Sequence, residues 1–139
     1  EDLHSLGVEA RMPSLGMMVE VPAAALTLDR FSADFYSIGS NDLVQYVMAA
    51  GRDSPHLADL QDIGDAAVLS LLKQVVDVAT RMGRGVSLCG DAAADEAALP
   101  LLFNAGLRKL SVAPAALGRV KAAVAELDLR GSVSEGGLK

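Results

Sequence analysis

Cysteine is almost absent from this chain, with Cys89 alone among 139 residues. A single thiol excludes an internal disulfide framework and a zinc site built from cysteines, and leaves room for one functional thiol. Basic residues are also scarce, twelve against eighteen acidic ones, for a net charge of −6. That balance argues against a nucleic-acid-binding surface, although a local basic pocket is compatible with it. No apolar run comes near the roughly 18 uncharged residues of a membrane span. The longest runs are interrupted by Glu20, Lys73 or Asp95. The first twenty residues lack the basic start and apolar stretch of a secretory signal. The chain opens on Glu1 rather than Met, so a processed or truncated piece of something longer is expected. Hydrophobic side chains are plentiful, 51% against 22% charged, which is the composition of one folded domain of ordinary size.

Four short apolar runs punctuate the chain, at residues 15–21, 34–39, 85–89 and 108–112. Each is about five residues long and bounded by Gly, Pro or polar residues, which suits buried strands better than helices. Helical patterns separate them. The clearest follows Asp65, a helix cap, with Val68, Leu69, Leu72, Val75, Val76, Ala79 and Met82 at helical spacing and Gly83 as the stop. Residues 42–50 read as a shorter helix closed by Gly51, and 95–105 as another closed by Gly106, with Pro100 obscuring its start. Pro114 opens a last helix through about Leu127, and residues 23–31 form a short one. Residues 51–64 are a long connection, and 128–139 are expected to be a flexible tail. Alternation of this kind implies an α/β fold with parallel strands and right-handed crossovers. Four βα units make half of a (β/α)8 barrel or a small open sheet; their lengths alone do not separate the two.

The polar residues fall at the ends of the runs. Glu20 closes the first, Ser40, Asn41 and Asp42 follow the second, Cys89, Gly90 and Asp91 the third, and Ser111 the fourth. In parallel α/β folds these C-terminal strand ends share the face that carries the active site. Glu20 lies in a run expected to be mostly buried, where an unpaired carboxylate is costly, so it should meet a cation. Glu20 and Asp42 together suit Mg²⁺ or Mn²⁺ completed by water and a phosphorylated substrate. The alternative is that Glu20 pairs with an arginine and Asp42 merely caps its helix. Residues 39–42 open a helix whose free N–H groups favour a phosphate or carboxylate. Arg52 is a clamp for such an anion or an ordinary surface residue. Cys89 is a small buried hydrophobe or a reactive thiol at a strand end. His4 and His56 read as surface residues, and Met17, Met18, Met48 and Met82 as core.

The segments GMMVEVP at 16–22, FYSIGSNDLVQY at 35–46, Arg52-Asp53, CGD at 89–91 and GLRKLSV at 106–112 occur in that order. Together they resemble the C-terminal phosphoenolpyruvate (PEP)-binding barrel of the PEP-utilising enzymes, over about residues 15–127. The nearest branch is enzyme I of the bacterial sugar phosphotransferase system. Ser40 and the stretch at 52–54 also resemble PEP synthase, so the pyruvate phosphate dikinase and synthase branch is the alternative, as is a non-catalytic binding or dimerisation module of the same fold. The resemblance implies the second half of a (β/α)8 TIM barrel. It implies that Glu20 and Asp42 bind Mg²⁺, that Asn41 and the backbone of Ser40 hold the phosphate of PEP, and that Arg52 neutralises it. Cys89 would protonate the methylene carbon as pyruvate forms. Implied partners are an upstream phosphohistidine domain, an HPr-like carrier protein and a second copy of the chain in a homodimer, all in the cytoplasm without membrane or nucleic acid. Asp91 stands where enzyme I usually has Glu, and Gly51 where an Asp commonly precedes the arginine.

Overall fold

The computed structural model describes residues 3–127. The expected tail at 128–139 lies outside the described residues. Among the described residues three strands, β1 (Gly16–Val19), β2 (Phe35–Gly39) and β3 (Gly85–Cys89), form a parallel sheet in that order. Five α-helices among the described residues accompany them: α1 (Pro22–Leu26), α2 (Ser40–Met48), α3 (Ala66–Arg81), α4 (Leu99–Asn104) and α5 (Leu117–Glu126). This is an α/β fold with parallel strands and flanking helices, consistent with part of a (β/α) barrel, and the sheet is open.

The sequence predicts a full fourth strand at 108–112; the structure has a single parallel bridge there, between Leu88 and Leu110. The Leu88 N–H donates to Lys109 O at 3.0 Å and the Ser111 N–H to Leu88 O at 2.8 Å. Arg108 and Lys109 are exposed, and only Leu110 and Val112 of this run pack on the core. Pro114 then removes a donor and begins the 3-10 turn Pro114–Ala116 that leads into α5.

Register decides which side chains the sheet buries. Met17 lies beside Tyr36, and Tyr36 beside Val86; Val19 lies beside Ile38, and Ile38 beside Leu88. Val19, Tyr36, Ile38 and Leu88 are wholly buried in one cluster with Ala25 of α1, Leu43 of α2, Val68, Leu72 and Val75 of α3, and Leu102 of α4. Met17 and Val86 pack against the same cluster. The alternate residues, Met18, Phe35, Ser37, Ser87 and Cys89, point to the other face, which the helices leave uncovered. Met18 is therefore 46% exposed and not a core residue.

Helix boundaries follow local chemistry. Asp65 caps α3 as expected, accepting the Ala67 N–H at 2.8 Å, and Gly83 follows its end at φ +67°. On α3, Leu71 joins the buried residues, while Leu69, Val76 and Met82 are partly buried. The second helix begins at Ser40, two residues before the expected start, because Gly39 serves as its N-cap. It also ends early, and Ala49, not Gly51, takes the left-handed conformation at φ +51°. Burial of Ala50, whose N–H donates to Gln45 O, fixes that turn. Helix α4 starts at Leu99 rather than 95, since the Asp95 carboxylate turns the chain by accepting the Ala97 N–H. Pro100 sits in its first turn, where no donor is missed. The stretch at 23–31 divides into α1 and a 3-10 turn, Leu28–Arg30.

Candidate functional site

The ends of β1, β2 and β3 meet at a cleft of about 210 Å³. Glu20 immediately follows β1, Ser40, Asn41 and Asp42 form the first turn of α2, and Cys89 ends β3. These five and Arg52, the residues expected to hold metal, substrate or the transferred proton, line this one cleft. Ser111, at the end of the fourth run, does not line it.

Glu20 is half-buried rather than enclosed in a strand, and among the described residues its carboxylate makes no hydrogen bond or ion pair. Gly39 makes room for it: a Cβ there would lie 2.9 Å from Glu20 Oε2 and 3.3 Å from Met18 Sδ. The arginine goes instead to Asp42. Arg52 Nη2 donates to Asp42 Oδ1 at 2.6 Å, and its Nε donates to Gln45 Oε1 at 3.2 Å. Asp42 thus neither caps α2 nor stands free; it holds the guanidinium over the helix start. No side chain caps the first N–H groups of α2, which leaves them available to an anion.

A second set of bonds ties α2 to the end of β3. Ser40, almost wholly buried, donates from Oγ to Cys89 O at 2.7 Å. Asn41 Nδ2 donates to Asp91 Oδ2 at 2.9 Å, and Asn41 Oδ1 accepts the Asp91 N–H at 2.9 Å. Gly90 lets these groups approach. Its φ is +100°, and a Cβ there would lie 2.3 Å from Ser40 Oγ and 2.6 Å from Asn41 Oδ1. The Cys89 thiol donates toward Ile38 O at 3.5 Å and lies 3.9 Å from Ser37 Oγ. Its sulfur lies at the edge of a polar cleft, a placement that suits a proton donor. His56 is exposed and outside the cleft.

The donor set bears on metal binding. Among the described residues no three His, Cys, Asp or Glu side chains cluster closely enough to cage an ion. Glu20 and Asp42 are two carboxylates on one cleft, and Asp42 engages Arg52 through only one oxygen. Such a pair fits Mg²⁺, which is commonly held by one or two carboxylates with substrate oxygens and water completing the shell.

Gly90 and Asp91, placed at a strand end by the sequence without a role, and Gln45 are further parts of the site. The sequence signal for the first two was the Gly-Asp that directly follows a strand-end cysteine. The long connection at 51–64 also contributes. Gln61, Asp62, Ile63 and Asp91 line a neighbouring cavity of about 230 Å³ that shares Ser40, Asn41 and Arg52 with the cleft. Gln61 Nε2 fastens this connection by donating to Gly51 O at 2.8 Å.

Residues 2–129 match the PEP-binding domain of the PEP-utilising enzymes, and the chain belongs to that family. Within it, the chain is homologous to phosphoenolpyruvate-protein phosphotransferases. It is 43% identical over 129 residues to that of Haloferax volcanii, covering 91% of this chain and 23% of the relative. It is 42% identical over 115 residues to that of Bacillus sp. (strain S), and 38% over 116 residues to that of Listeria monocytogenes. Those alignments cover 81% and 82% of this chain and 20% of each relative. The chain thus spans about a fifth of the length of these curated relatives. Among the described residues no helix is long and apolar enough to cross a membrane.

Proposed function

We propose that this chain is the second half of a (β/α)8 barrel and supplies the PEP-binding, Mg²⁺-dependent part of a phosphoenolpyruvate–protein phosphotransferase. The observation that carries the proposal is the convergence of Glu20, Ser40, Asn41, Asp42, Arg52 and Cys89 on one cleft at the strand ends. The uncapped N–H groups at Ser40 and Asn41 receive the phosphate, helped by the dipole of α2. Arg52 exchanges its bond to Asp42 for one to the phosphate and offsets its charge. Glu20 and Asp42 hold Mg²⁺, whose charge stabilises the phosphoryl group in transfer.

The chemistry balances. The bond between phosphorus and the enol oxygen of PEP breaks, and phosphorus bonds to an imidazole nitrogen of a histidine on an upstream domain. The electron pair stays on the enolate of pyruvate. Cys89 Sγ–H gives its proton to the methylene carbon, which completes pyruvate and leaves a thiolate. The phosphoryl group passes from the histidine to an HPr-like carrier in the cytoplasm. The experiment is Cys89→Ala in the longer enzyme that this proposal implies. PEP binding should persist while pyruvate formation slows at least about a hundredfold, the usual scale of a lost general acid. A full rate of pyruvate formation would rule Cys89 out as the acid.

The proposal extends to a homodimer. Strand β1 pairs only with β2 among the described strands, so its outer edge offers unpaired backbone groups. Leu15, Met18 and Phe35, all exposed, add apolar surface at this side of the sheet. Sedimentation of the chain at micromolar concentration should show a dimer or larger species. A compact monomer with a sharp, concentration-independent melting transition would overturn this part.

A further inference from the structure

We propose that Asp91 is a positioning residue that sets the orientation of Asn41 toward the bound anion. The inference rests on the PEP-binding reading of the cleft and identifies how the site holds the Asn41 side-chain amide. Asp91 contacts that amide twice along one edge, through its carboxylate and through its own N–H, both at 2.9 Å. Two bonds of opposite polarity leave the amide one orientation: the oxygen must face the Asp91 N–H and the nitrogen its carboxylate. They also engage the amide hydrogen on the same side as Oδ1. The second hydrogen on Nδ2 is left as a donor directed away from Asp91. Asn41 lines the cleft together with Arg52, and Asp91 does not.

The charge of Asp91 makes the point sharper. It is exposed and forms no ion pair among the described residues. A carboxylate close to an anion site disfavours the anion by like-charge repulsion. Its observed contribution is the hold on Asn41. Gly90 secures the same arrangement from the backbone, because any side chain at that position would displace Asn41 Oδ1. Ser40 completes it by fixing the preceding residue to Cys89 O. The amide donor, the start of α2 and the Cys89 thiol are thereby held in one frame.

The test follows the Asn41 side-chain amide by nitrogen-15 NMR of the chain, with Asn41→Ala identifying its two proton signals. In the wild type one of the two should be shifted and slow to exchange with water. Asp91→Ala should collapse both signals to the positions of a free amide. Asp91→Asn, which keeps a side-chain oxygen acceptor, should restore the shifted one. In the longer enzyme, PEP binding with Mg²⁺ present should weaken about three- to tenfold in Asp91→Ala, the scale of losing one exposed hydrogen bond. The same substitution in an Asn41→Ala background should cost nothing further. An unchanged amide signal in Asp91→Ala, additive losses in the double variant, or tighter PEP binding once the charge is gone would each overturn the inference. A longer wild-type enzyme whose amide is held by Asp91 but which binds no PEP with Mg²⁺ present would instead overturn the proposed function.

Discussion

The two faces of the sheet are made from alternate residues of the same three strands, yet they are built for different ends. One face carries Val19, Tyr36, Ile38 and Leu88, all buried against α1 to α4. The other carries Met18, Phe35, Ser37, Ser87 and Cys89, half-exposed and mostly small or polar. The first face holds the fold together by removing apolar area from water. The second contributes little burial, and its upper end opens into the cleft. Met17, Val19, Tyr36, Ile38, Val86 and Leu88 all pack on the helix side of the sheet. The uncovered face is therefore the less apolar of the two. This is why the dimer proposal rests on the β1 edge.

The largest effect should come from the buried face. Ile38→Ala or Leu88→Ala should each destabilise the chain by about 3 kcal/mol, the cost of a cavity in a close-packed core. Ser87→Ala on the opposite face should cost less than about 1 kcal/mol. Urea unfolding with an unchanged slope measures both. Equal losses on the two faces would break the comparison.

Gly90→Ala should come next, at about 2 kcal/mol, because φ +100° is open only to glycine and the new Cβ meets Ser40 and Asn41. Its signature should be local. The buried cluster should keep its packing while binding of PEP is lost, since the bonds from Asn41 to Asp91 cannot survive the clash. Intact binding would show that the link between α2 and β3 is not needed at the site. Asp65→Ala should be smaller still, about 1 kcal/mol from the lost cap of α3, without effect on the cleft. A thermal melt measures that loss, and any change in PEP affinity would contradict the separation of scaffold from site.

Much of the site was legible because its residues are consecutive or sit at strand ends. Residues 40–42 follow an apolar run directly, and Cys89 closes another, so the topology of parallel strands brings them together. The third strand was read with its observed bounds because Gly85 and Gly90 bracket it. The rest was hidden by distance or by ambiguous periodicity. Asn41 and Asp91 are fifty positions apart, and nothing local announces that they bond. Met17, Met18 and Val19 are all apolar, so β1 gives no alternation to reveal which face is buried. The fourth run has strand-like composition, but its pairing depends on tertiary contact and stops at Pro114. The early start of α2 follows from Gly39 acting as cap, where a loop-like sequence concealed a helix.

The central claim is that the cleft joins a metal to a phosphorylated substrate through Glu20 and Asp42. Calorimetric titration of PEP with and without Mg²⁺, on the longer enzyme and on its Asp42→Asn variant, tests it most directly. The account predicts that PEP binds the wild type far more tightly with Mg²⁺ present, and that this difference collapses in Asp42→Asn while the fold persists. A variant that keeps the full metal dependence of the wild type would contradict it.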